Sequence, residues 1–173
     1  MKTKISFLIA FFALILITGY TQEATKKPTK EEKKAEKQKQ TEAFINAREF
    51  VFVGRTALPT GYKSVDLTTN TNYVKFYPDT IDSYMPYYGR AYSGIGYGGD
   101  TGLKFTGKAD EYTVTKGKKN YQVNAVVKTD RDTFRISLSV SFEGSSSLVI
   151  NSNNRSPISY NGEISAPEKP KEK

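Results

Sequence analysis

Thr133-Phe134-Arg135-Ile136-Ser137-Leu138-Ser139-Val140-Ser141-Phe142 (TFRISLSVSF) decides the fold. Phe134, Ile136, Leu138, Val140 and Phe142 point one way, and Thr133, Arg135, Ser137, Ser139 and Ser141 point the other. Strict period-two alternation means a strand with one face on a core and one in water, the mark of antiparallel sheet. Working outward, Tyr121, Val123, Ala125 and Val127 alternate before a turn at Thr129-Asp130-Arg131-Asp132. On the other side, Glu143-Gly144-Ser145 leads into Ser147–Asn151, and the loop Asn151–Pro157 leads into Ile158–Ile164. Short polar connections between alternating runs are hairpin signals.

The first half is less regular. A strand is predicted from Glu49–Val53, ending near Ala57-Leu58-Pro59, and others over Ser64–Leu67, Tyr73–Tyr77 and Thr80–Met85, the last two flanking Pro78-Asp79. Proline pre-sets the first central position of a turn there. Leu103–Thr106 and Tyr112–Thr115 read as two further strands, the second ending at Lys116-Gly117-Lys118-Lys119-Asn120. The expectation is an all-β domain over residues 46–165, an antiparallel meander of eight or nine strands. Curled sheet, barrel and sandwich demand the same alternation, so all three closures stay open.

Residues outside that span carry the address. Met1–Thr21 has the layout of an export signal, with Lys2 and Lys4 ahead of the apolar run Phe7–Ile17. The run is shorter than the ~20 residues a spanning helix needs, so a signal peptide is expected. Leu16-Ile17-Thr18-Gly19 approaches a lipobox, but Tyr20 stands where the lipidated Cys would be, so no lipid anchor is expected. Residues 22–45 form a Lys/Glu-rich linker or polar helix, with Pro28 and Thr29 at its start and Ala43, Phe44 and Ala47 spaced to dock. Ala166–Lys173 reads as a disordered tail. The expected location is the periplasm of a Gram-negative bacterium.

Composition narrows the chemistry. The 173 residues contain no Cys and no His, and carry a net charge of +8. Disulfides, thiolate nucleophiles, the usual zinc and haem ligands and every Ser–His or Cys–His pair are thereby absent. Of the charge, residues 43–165 hold 14 basic and 11 acidic residues, so more than half of the excess lies at the ends. With no basic stripe in the domain, nucleic acid is not an expected partner.

Two motifs are decoys. Gly94-Ile95-Gly96-Tyr97-Gly98-Gly99 fits G-x-G-x-x-G, yet it leads toward a strand instead of opening a helix. Gly102–Ala109 nearly fits a phosphate-binding loop, but Ala109 lacks the hydroxyl that would hold Mg²⁺. The closest acidic sets, Asp79/Asp82, Asp110/Glu111 and Asp130/Asp132, sit in or beside turns, where Asp caps local backbone. Asp100 among glycines is a lone acid. No catalytic residue, metal ligand or cofactor is assigned, and the domain is expected not to be an enzyme.

The segment Tyr84–Asp100 (YMPYYGRAYSGIGYGGD) stands apart. Tyr84, Tyr87, Tyr88, Tyr92 and Tyr97 fall within it, with Arg90 among them. Tyrosine offers a wide amphipathic face at low entropic cost, and arginine stacks on it. Tyr87, Tyr88, Arg90, Tyr92 and Tyr97 are therefore the candidate contact residues for an envelope protein, glycan or small ligand. The competing reading makes these tyrosines the cover of a barrel mouth or sheet edge.

Several phrases together carry a resemblance: Phe50-Val51-Phe52-Val53 with Ala57-Leu58-Pro59, Met85-Pro86-Tyr87-Tyr88-Gly89-Arg90-Ala91-Tyr92, Tyr97-Gly98-Gly99 to Gly102-Leu103-Lys104-Phe105, and Ser152–Gly162. In that order they resemble domain-of-unknown-function family 4251 of exported proteins and lipoproteins of Bacteroidota, with Met85 where the family often has Leu. The resemblance implies an all-β domain and an exported address, and brings no catalytic residues. The reading expected is a monomeric, non-enzymatic periplasmic binding or structural module. A lipocalin-like carrier of a small apolar ligand and a carboxylate-based hydrolase are the alternatives.

Overall fold

A computed structural model describes residues 29–92 and 102–167 of the chain. The export-signal segment, Tyr97, Asp100, the Gly94–Gly99 motif and residues 168–173 lie outside the described residues. Two units are distinguished, residues 1–31 and 32–173, and the second carries the sheet.

Among the described residues, nine antiparallel strands follow one helix, α1 (Lys30–Ala47). They are β1 (Phe50–Pro59), β2 (Val65–Asp66), β3 (Tyr73–Phe76), β4 (Thr80–Met85), β5 (Leu103–Lys116), β6 (Asn120–Lys128), β7 (Thr133–Ser141), β8 (Ser145–Ser152) and β9 (Ile158–Ser165). From β3 to β9 each strand pairs with the next, β3 also pairs with β1, and β1 pairs with β9, which closes an eight-stranded barrel. The two-residue β2 adds to the far half of β1, opposite Thr56 and Ala57. Of the three closures the alternation allows, the barrel is the one formed.

The deciding stretch behaves as its pattern dictates. Phe134, Ile136, Leu138 and Val140 are buried along β7, while Arg135 is exposed. Facing strands supply Val123, Leu148, Ile158 and Tyr160, each at most 1 % exposed. Phe50 stacks on Phe76 at 4.5 Å between centroids, and Phe105 on Phe134 at 4.0 Å. Burying each such ring stabilises the fold by about 1.5–3 kcal/mol, so the interior is a packed core of aromatic and branched side chains.

Two runs differ from expectation. Leu103–Thr106 and Tyr112–Thr115 are halves of one 14-residue strand, β5, with a bulge between Ala109 and Glu111. Gly107 looks like a break, but Val127 packs over the space its side chain would need, which keeps it inside the sheet. By contrast, β1 runs through Gly54 and ends at Pro59, as expected. There Gly54 faces Gly162 of β9 beside a bulge, and any Cβ on Gly162 would overlap the Val53 carbonyl.

Helix α1 runs to Ala47 and buries Thr41 and Ile45. It ends with Arg48 at φ 54°. The Arg48 N–H donates to Ile45 O and the Glu49 N–H to Phe44 O, both at 3.3 Å, the paired bonds of a Schellman cap. Glu42 bonds Lys116 at 2.8 Å and Lys34 bonds Glu143 at 3.1 Å, tying the helix to the β5–β6 and β7–β8 turns. No helix among the described residues is long and apolar enough to cross a membrane.

Candidate functional site

At the opposite end of the barrel, the segment after β4 folds across the mouth. Tyr160 closes it from beneath: the ring is fully buried and its hydroxyl donates to Pro86 O at 2.7 Å. Burial pushes that hydroxyl far above its ordinary pKa, so it stays a neutral donor. Tyr87, 7 % exposed, lies above. Its oxygen is 2.7 Å from Arg90 O, 3.0 Å from Ser156 O and 2.8 Å from Ser156 Oγ. The single phenolic proton serves one carbonyl while the oxygen can accept from the Ser156 hydroxyl.

The same segment is stitched by backbone to the β8–β9 loop. Ser156 N–H donates to Arg90 O at 2.9 Å and Tyr92 N–H to Asn154 O at 2.8 Å, around an isolated bridge between Ala91 and Arg155. Arg155 donates to Gly102 O at 2.7 Å and holds its guanidinium 5.3 Å from the Tyr87 ring centre. Gly89 is needed here, because a side chain would collide with the Tyr87 hydroxyl.

The candidate contact residues thus separate by depth. Tyr87 is the deepest of those described: its ring is buried and its hydroxyl is bonded to loop backbone and to Ser156. Tyr88 is half-buried against the core. Arg90 is exposed and Tyr92 is 71 % exposed. Tyr97 falls outside the described residues.

One participant escapes sequence reasoning. Tyr62, in the turn after β1 and 57 % exposed, reaches Arg90. A side-chain hydrogen bond with Tyr62 raises the Arg90 guanidinium above its ordinary value, so the group is a permanent cation. No local signal marks Tyr62, since it lies 28 positions upstream of Arg90. Tyr62, Arg90 and Tyr92 form a rim of two aromatics around one charge.

One member of each acidic set is engaged in structural bonds. Asp82 accepts from Thr106 Oγ1 at 2.8 Å, Asp110 pairs with Lys128 at 3.3 Å, and Asp132 accepts from the N–H groups of Thr133 at 2.7 Å and Asn153 at 3.0 Å. Among the described residues no three acidic side chains converge closely enough to hold a metal ion.

The sequence profile of DUF4251, described as a domain of unknown function, matches residues 32–164, which takes in most of α1 and all of the closed sheet but its last residue. The chain belongs to the DUF4251 family. A similar solved structure is the crystal structure of a DUF4251 family protein from Bacteroides eggerthii DSM 20697 at 1.95 Å resolution. The two chains share 18 % identity over 76 % of this chain and 89 % of that one, with a TM-score of 0.59, so the likeness is one of fold. No curated protein matches the chain. Within this DUF4251 domain, the family phrases Met85–Tyr92 and Ser152–Gly162 are the two segments that Tyr87 and Ser156 lock together.

Proposed function

We propose that this DUF4251 domain is a non-enzymatic binding module of the bacterial envelope, which meets its partner through Tyr62, Arg90 and Tyr92, with Tyr88 beneath them. One observation carries the reading: a buried tyrosine lock, Tyr87 on Arg90 O and Ser156, holds the exposed Arg90 and Tyr92 on a fixed backbone. Rigid aromatic and arginine side chains that need no ordering on contact are the usual anchors of protein and glycan interfaces. The aromatic rings stacked on one another inside the barrel, Phe50 on Phe76 and Phe105 on Phe134, favour this external surface over a lipocalin-like carrier. The structural bonds of Asp82, Asp110 and Asp132 speak against a carboxylate hydrolase built on these sets, which would need two free carboxyl groups across a cleft. An exported, periplasmic address is supported by the leader-like Met1–Thr21 and by the Bacteroides source of a solved family member.

A photo-cross-linking phenylalanine analogue at position 92, expressed in the native host, tests it. Discrete adducts are expected at 92 and not at Lys118, which lies at the far end of the barrel, and Arg90→Ala should remove them. Equal labelling at both positions, or none at 92, overturns the reading.

A further inference from the structure

Strand β5 is longer than its neighbour on one side. Leu103 to Lys108 pair with β4, whereas Ala109 and Glu111–Lys116 pair with β6 alone among the described residues. The other edge of this half-strand therefore presents unpaired N–H and C=O groups. Its side chains are open as well: Glu111, Thr113 and Thr115 are exposed, Val114 is 40 % exposed, and only Tyr112 is half-buried. Exposed edges recruit further strands, and proteins blunt them with proline, inward charges or a covering segment. Tyr112-Thr113-Val114-Thr115 contains neither proline nor charge. The end of α1 touches it through side chains, Arg48 over the Tyr112 ring and Glu42 on Lys116, but no backbone hydrogen bond joins it to α1 among the described residues.

We infer that this edge is the interface of a twofold dimer, in which two copies of β5 pair antiparallel about Thr113. Directly opposed residues of antiparallel strands share a face, so the twofold axis must pass through a residue and not between two. An axis at Tyr112 runs the pairing into the bulge after Ala109. An axis at Val114 sets Tyr112 against Lys116, which is already held by Glu42. With the axis at Thr113, Tyr112 meets Val114 of the copy, Thr113 meets Thr113, and Glu111 meets Thr115. Aromatic against β-branched and threonine against threonine are favourable cross-strand pairs.

Charge agrees with this orientation. Glu111 has no ion-pair partner among the described residues. With the axis at Thr113, antiparallel pairing sets Lys116 of the other copy opposite Asp110 and beside Glu111, which favours encounter in this direction, although Lys118 then falls opposite Lys108. A parallel pairing would set the two turns against each other.

The absence of cysteine makes the register testable. Opposed Cα atoms in antiparallel sheet lie about 4.5–5.5 Å apart, within the ~4.4–6.8 Å range a disulfide spans. Thr113→Cys, oxidised at micromolar concentration, should give a covalent dimer at least about tenfold faster than Thr115→Cys, whose two copies lie four residues out of register. In sedimentation velocity the purified protein should pass from monomer to dimer with concentration, and Thr113→Lys, confirmed folded by circular dichroism, should weaken association at least about tenfold by opposing two like charges. Equal cross-linking at 113 and 115, a monomer at all concentrations, or a dimer indifferent to Thr113→Lys overturns the proposal.

Discussion

The side chain of Asn72 pairs with Gly54 as a neighbouring strand would: Oδ1 accepts the Gly54 N–H at 2.7 Å, and Nδ2 donates to the Gly54 carbonyl at 3.1 Å. The site lies where β1 changes partner, from β3 at Phe50–Phe52 to β2 at Thr56–Ala57. A backbone left bare at such a fork would hold buried polar groups without partners. Asn72, 5 % exposed, supplies both a donor and an acceptor. Its Nδ2 also reaches Asn70 O at 3.0 Å, so the pin fixes the β2–β3 connection as well. Asn72→Ala should lower unfolding free energy in urea by about 2–3 kcal/mol, the cost of two buried groups losing their partner. Asn72→Asp should be similarly harmful, because it lacks the donor.

The Tyr87 lock should fail locally before it fails globally. Tyr87→Phe keeps the ring in place and removes only the hydroxyl at Arg90 and Ser156. The expected result is a loss of about 1 kcal/mol in global stability. The amides of Tyr92 and Ser156, whose bonds close the mouth, should exchange with deuterium about tenfold faster. That local change corresponds to about 1.4 kcal/mol. An unchanged exchange rate would show that the loop is held by packing alone.

Arg48 carries two opposed effects. Its left-handed backbone ends α1, which any side chain resists and glycine does not. Yet its guanidinium lies 4.5 Å from the Tyr112 ring centre, a cation–π contact. Arg48→Ala loses the contact and keeps the strain, whereas Arg48→Gly loses both. The glycine variant should therefore be more stable than the alanine variant by about 1 kcal/mol in denaturant melts.

Tyr112 should govern part of the alkaline behaviour. Burial pushes its hydroxyl up to about 12, opposed by the nearby Arg48 charge. The fold thus favours the neutral phenol. This contribution is complete below the unfolded value of about 10, falls as pH rises, and is gone once the folded group ionises near 12. Tyr112→Phe should flatten the stability profile over that window. Below it the variant should be no less stable, because the Tyr112 hydroxyl is buried without a hydrogen-bond partner.

Periodicity made the wall of the barrel legible, and little else about the site. Thr133–Ser141 and Thr80–Met85 are strands because alternation leaves them no other stable form. Alternation does not say whether β1 closes on β9, since closure depends on twist summed over all strands. Gly107 misled because a glycine that breaks a strand and one that accommodates Val127 look alike in sequence. The tyrosine cluster was visible, but its division into buried Tyr87 and exposed Tyr92 depends on Ser156, 69 residues from Tyr87. Tyr62 joined the rim through tertiary proximity alone.

The pairing of β1 with β9 also sets the order of events in making this protein. Eight register pairs join Val51–Pro59 to Ile158–Ser165, so the wall is completed only by residues about a hundred positions apart in the chain. Such long-range closure slows folding, because the entropy of a large loop is lost before the contacts form. A chain emerging from a channel with its N-terminus first has every other strand in hand and still cannot shut the barrel. Until Ile158–Ser165 arrives, β1 and β8 each expose an edge, and the Gly54–Gly162 contact has no second half. Loss of the last dozen residues of the sheet would therefore leave an open, adhesive intermediate instead of a slightly smaller domain.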